Sequence, residues 1–314
     1  MKPEKFAAVG LCLAAAASGC APRTSVKRDH ASTTIEETRH HRSEQKGPKR
    51  RIGIIDFENK SGYGQNRLGT AASDILITEL VKSDRFIVVE RSKMEKLMEE
   101  QKLGMTGAIS PETAAKVGRI LGLTAIVTGA ISQAGVKTVG SDYLVTQSKK
   151  QIAEVTVDIR VVDVETGQIL LADSGKGTAK SSKGSLLGLG TRGGYDETLE
   201  GEAMRAAVVQ FVDNIVSQVS RKPWSAMVAD ASGAELYINA GQESGMELGM
   251  KLDCFRTGAP IKDPDSGLVI GYKETPLGAG KIVRWCGQTG DCAVVRLEES
   301  GSGGKTRDIC RLPE

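Results

Sequence analysis

The chain has 314 residues, 39% hydrophobic and only 4% aromatic, with a formal net charge of +3. This is the composition of an ordinary globular protein, and so few aromatic residues argue against a base-stacking surface. The charge is uneven: nine Lys/Arg face four Asp/Glu between Cys20 and Arg51, leaving residues 52–314 at −3, so no nucleic-acid partner is expected.

In chain order, residues 1–19 read as a signal peptide: Lys2 and Lys5 precede a 13-residue apolar run, Phe6 to Ser18, too short to span a bilayer. Ala17-Ser18-Gly19-Cys20 has lipobox form, which makes Cys20 the lipidated first residue of the mature chain. Ala21 follows where an Asp would favour inner-membrane retention, so the expected location is the outer membrane, periplasmic face, held by acyl chains. Residues 20–50 lack an apolar period and read as a flexible tether.

A folded body is expected over 51–222. "RIGIIDF" (51–57) reads as a buried strand, 68–83 as an amphipathic helix, "RFIVVER" (85–91) as a second strand and 92–102 as a helix. Ser110-Pro111-Glu112 opens a helix that Gly122 stops. "TAIVTGAI" (124–131) is a third strand, 153–164 and 168–174 form a hairpin closed by Glu165-Thr166-Gly167, and 195–219 is a long helix. Past Pro223 short strands and turns dominate, giving a small β-rich domain over 223–314. The expected fold class is α/β: a small mixed sheet with three to four helices, two hairpin insertions and an all-β C-terminal domain.

All three histidines, His30, His40 and His41, precede the body. A Ser-His-Asp or Cys-His nucleophile and a histidine zinc centre are therefore excluded there, and a non-enzyme without metal or cofactor is expected. Cys254, Cys286, Cys292 and Cys310 all lie in the last 61 residues, and without a C-x-x-C pair they read as two disulfides in one of three pairings. Asp263-Pro264-Asp265-Ser266-Gly267 lacks calcium-loop spacing and reads as a β-turn.

"IGIIDFEN", "LGTAASDILITELVKSDRFIVVERSKMEKLMEEQKLG", "ISPETAAKVGRILGLTAIVTGAI" and "VDIRVVDVETGQIL", in that order behind a lipobox, resemble the curli-secretion lipoproteins, the CsgG-like family. The stretch "GQESGMELGMKLDCFRTGAPIKDPDSGLVIG" resembles a β-domain appended to some members and to flagellar-assembly proteins. The resemblance implies a homo-oligomeric ring at the outer membrane that exports or anchors an extracellular fibre or adhesin subunit. Two hairpins per subunit, here about 133–151 and 177–195, would be barrel staves, with Leu186, Leu187 and Leu189 as a membrane tip and Tyr63, Gln65 and Asn66 as constriction residues. The alternative is a non-pore periplasmic lipoprotein that binds and regulates an envelope enzyme such as a peptidoglycan synthase.

Residues 180–202, "KSSKGSLLGLGTRGGYDETLEGE", also hold a Gly188-x-Gly190-x-x-Gly193 spacing. A dinucleotide cradle requires a strand directly before it, and the strand read from sequence ends near Ser174, so the cradle is not expected. The staves have a difficulty of their own: Lys149 and Lys150 are adjacent and Lys180 and Lys183 alternate, and a lysine facing lipid at mid-membrane costs about 2–4 kcal/mol.

Overall fold

A computed structural model describes residues 23–28, 47–65, 67–100, 110–142, 146–186, 198–298 and 303–313. The elements are β1 (Arg23–Arg28), β2 (Arg50–Ile54), β3 (Glu58–Asn59), α1 (Arg67–Lys82), β4 (Phe86–Val89), α2 (Arg91–Glu100), α3 (Pro111–Leu121), β5 (Ala125–Asp142), β6 (Thr146–Asp163), β7 (Ile169–Leu186) and α4 (Thr198–Ser220). After them come β8 (Ser225–Ser232), β9 (Glu235–Ile238), a 3₁₀ turn, β10 (Lys251–Lys262), β11 (Val269–Cys286), β12 (Cys292–Leu297) and β13 (Ile309–Arg311).

β1 to β7 form one mixed sheet in the order β1-β7-β6-β5-β2-β4, with β3 paired to β5. The pairs β2–β4, β2–β5 and β3–β5 are parallel; β5–β6, β6–β7 and β7–β1 are antiparallel. One face carries α1 and α4. On α4 the stripe Leu199, Ala203, Ala207, Phe211, Ile215 and Val219 is buried at four-residue spacing. It packs on Ala153, Val155, Val157, Ile159 and Val161, alternate residues of β6, as a half-buried strand requires. Each such fully buried large apolar side chain contributes about 1.5–3 kcal/mol.

The fit of α4 on β7 depends on missing side chains. A Cβ on Gly177 would run into the Ala203 carbonyl oxygen, and one on Gly175 into that of Ala207. Helix and strand are thus in backbone contact, as only glycine allows. On the other face, at the base of the sheet, α2 and α3 close a second core of Met94, Ala114, Val117, Leu123, Ile126, Val162 and Val164. Ser110 caps α3 by accepting from the Thr113 N–H, Pro111 opens it, and Gly122 ends it at φ 63°, as expected from the residues.

The C-terminal strands form a closed barrel in the order β10-β11-β12-β9-β8-β13. Its disulfides, Cys254–Cys310 and Cys286–Cys292, each join residues opposite one another on adjacent strands. The barrel is tied to the body at the start of β2. The Arg50 guanidinium donates to the carbonyl oxygens of Ser220, the last residue of α4, and of Lys222 just after it, where a cation also complements the helix dipole. Lys222 Nζ lies 2.6 Å from Asp163 Oδ1, and Trp224 Nε1 donates to the Lys49 carbonyl.

Two expectations change. The hairpin insertions are not separate features: the 153–164 strand and the 133–151 insertion are one ladder, β5 against β6, interrupted by an irregularity between Ile131 and Gln133. Residues 20–50 are not all tether, because Arg23–Arg28 pair with Gly177–Ser182 as the outermost strand beside β7. β1 went unread because RTSVKR has a single strongly apolar residue, Val26, and main-chain pairing leaves no mark on side-chain pattern.

Candidate assembly surface

β5, β6 and β7 are 18 residues each, far beyond ordinary strand length, and they run past the helices. On the α4 side Gln151 on β6 and Ser181 on β7 are still buried. β5 pairs with β2 and β3 only as far as Ile131, so the main-chain edge of the rest of the strand, to Asp142, has no partner on that side among the described residues. The opposite edge of the ladder is closed along 177–182 by β1.

At the base of this ladder sits the loop after β3. Asn59 organises it: its amide nitrogen donates to the carbonyls of Tyr63 and Gln65, and its oxygen accepts from the Ser61 N–H (3.0 Å) and hydroxyl (2.6 Å). Gly62, Gly64 and Gln65 all have positive φ, at 70°, 72° and 52°. The Tyr63 hydroxyl donates to Glu200 Oε1 at 2.6 Å, and Arg67 Nη2 lies 3.1 Å from Glu200 Oε2. Glu200 is buried in the first turn of α4, where the helix dipole favours a carboxylate. Burial first, then the hydrogen bond to Glu200, pushes the Tyr63 phenol up to about 12. A second ion pair, Arg205 to the buried Glu79 at 2.5 Å with Lys82 at 3.2 Å, joins α4 to α1. The loop is a fixed wedge between α1 and α4.

The residues singled out from sequence divide accordingly. Tyr63 packs against the main core and spends its hydroxyl on Glu200, while Gln65 is exposed. Leu186 ends β7. Cys20, Asn66, Leu187 and Leu189 lie outside the described residues. Glu200, Asn59 and the Gly175–Gly177 contact were not singled out. The "GKG" of Gly175-Lys176-Gly177 inside a strand was the available signal for a close backbone approach.

β7 also corrects the ground on which the dinucleotide cradle was set aside. The strand ends at Leu186, two residues before Gly188, not near Ser174. The topology supplies a different objection: β7 is antiparallel to both neighbours, whereas the cradle belongs to a parallel βαβ unit. The Asp263 carboxylate accepts from the backbone N–H of Asp265 and Ser266, which holds it below the usual range, so that segment is a self-capped turn. The Asp163 turn is built alike: Gly167 N–H returns to the Asp163 carbonyl as Gly267 N–H does to Asp263. Among the described residues there is no cluster of three or more metal-ligating side chains, and no helix is long and apolar enough to cross a membrane.

A protein of Neisseria meningitidis serogroup B named as a candidate lipoprotein (NMB1126/NMB1164) is 29% identical over 234 residues, spanning 71% of this chain and 98% of that one. Among solved structures, the LpoB C-terminal domain from Escherichia coli superposes with TM-score 0.32 at 14% identity, covering 45% of this chain and 93% of that one. Lipoprotein GNA1162 from Neisseria meningitidis gives 0.31 at 15% identity, over 55% and 99%. The PelC L103M dodecamer from Paraburkholderia phytofirmans gives 0.28 at 10% identity, over 63% and 99%. Scores this low carry nothing about assembly or partners. A family model described as the curli production assembly/transport component CsgG matches residues 34–247, and the chain belongs to that family.

Proposed function

We propose that the protein is a lipid-anchored component of the outer membrane, facing the periplasm. It assembles with copies of itself into a ring that exports or anchors an extracellular fibre or adhesin subunit, by positioning and not by chemistry. Family membership and a relative named as a candidate lipoprotein support this reading. The observation that carries it is the edge of β5 beyond Ile131. It is a long strand edge with one basic residue, Lys137, and no proline, which is the template a second chain needs for pairing.

A second reading has its own support. Ile261, Leu268 and Ile270 are exposed on the β10–β11 arm of the barrel, a feature that favours a protein partner such as an envelope enzyme. Single-channel conductance of the lipidated oligomer in a planar bilayer separates the two. Steady large conductance, abolished when 182–194 are deleted, establishes an export pore. Silence from protein shown to be oligomeric removes the pore and leaves an anchoring ring. A monomer by mass measurement at working concentration sinks the ring itself and favours the partner-binding reading.

A further inference from the structure

The far end of the ladder concentrates charge. From Lys137 on β5, Ile152 on β6, Lys180 on β7 and Ser25 on β1 outward, the strands carry Arg23, Lys137, Lys149, Lys150, Lys180 and Lys183 against the single acid Asp142. Without these positions the rest of 52–314 stands at −7, so the body is acidic with one basic end. Register sorts the charges by face. The row Lys137–Ile152–Lys180 and the pair Val139–Lys150 fall on the face opposite α4. Lys137 and Lys150 are exposed, and Lys137 has Glu154 no nearer than 3.9 Å.

We infer that this end of the sheet is a docking surface for anionic lipid headgroups. β1 places the anchor there. It runs antiparallel to β7, so its first residue, Arg23, sits at the distal end opposite Ser182, and Cys20 is three residues away, within about 11 Å of chain. A lipid chain plus an adjacent basic patch is the two-signal arrangement that makes membrane attachment stable, and each basic group near an anionic surface strengthens it several-fold. The barrel, tied to the base of the sheet at Arg50, is then held away from the membrane. The inference rests on the lipid-anchor reading only for the role of Cys20, and the test omits the lipid so that the two can fail separately.

The mature chain from residue 20 with Cys20→Ser is sedimented with phosphatidylglycerol/phosphatidylcholine vesicles and with pure phosphatidylcholine vesicles. The expected result is binding to the anionic vesicles alone, released as salt rises from about 0.05 to 0.5 M. Lys137→Gln/Lys150→Gln/Lys180→Gln lowers it at least about tenfold. Arg39→Gln/Arg42→Gln/Lys46→Gln, an equal charge change in the connecting segment, lowers it by less than about threefold. These lysines hold up no core, and an unchanged melting temperature confirms that the variant is folded. Equal loss in both variants overturns the inference, because the binder is then the connecting segment. Salt-resistant binding, or equal binding to neutral vesicles, overturns it too, since the end then inserts by its apolar residues.

Discussion

In the C-terminal barrel every strand has two neighbours and two disulfides lock adjacent pairs, whereas the N-terminal sheet leaves the outer half of β5 with one neighbour and covers β7 with a six-residue strand from far upstream. Closure removes edges from the barrel proper, while the β10–β11 arm, 256–262 against 269–276, extends beyond the pairing of β13 and β12. The sheet is held by helix packing and two ion pairs at α4, and it keeps main-chain groups available. The difference is one of construction: closure and disulfides fix the barrel, whereas helix packing fixes the sheet.

The sharpest way to test that contrast is to uncouple the two halves. Cys254→Ser/Cys310→Ser opens a loop of 56 residues, and chain entropy alone predicts a loss of about 4 kcal/mol. Chemical denaturation followed by barrel Trp285 fluorescence should show the loss, with the body's helical signal keeping its midpoint; a common shift would mean that the halves unfold together. In the body, Gly177→Ala should cost about 3 kcal/mol by forcing α4 off β7, read as a lowered midpoint of helical circular dichroism with the barrel unchanged. Cys286→Ser/Cys292→Ser spans only six residues and should cost about 2 kcal/mol, half the effect of the long bridge. Equal costs for the two bridges would mean that strain or residual structure outweighs loop length.

Smaller still, Tyr63→Phe removes a hydrogen bond to a carboxylate and should cost about 1–2 kcal/mol in the body alone. The same residue gives a pH signature. Its phenol is raised in the folded state, so its contribution is complete below the ordinary tyrosine value near 10 and is lost as pH rises toward 12. An absorbance titration at alkaline pH should show a late-ionising phase that Tyr63→Phe removes. A titration unchanged by the substitution would break the link between the loop and α4.

Much of this molecule was legible one residue at a time. The helices with their caps at Ser110 and Gly122, the alternation from Ala153 to Val161 and the change of texture at Pro223 are local patterns, set by composition and by the periods of helix and strand. Tertiary structure alone decided what depends on distant partners. Cys254 could pair with any of three cysteines until β10 and β13 were brought side by side. RTSVKR became a strand only because β7 offered an open edge, and Tyr63 became a wedge only because α4 brought Glu200 to its hydroxyl. Main-chain pairing and long-range contact leave almost no trace in side-chain order, which is why the edges were the last thing its sequence disclosed.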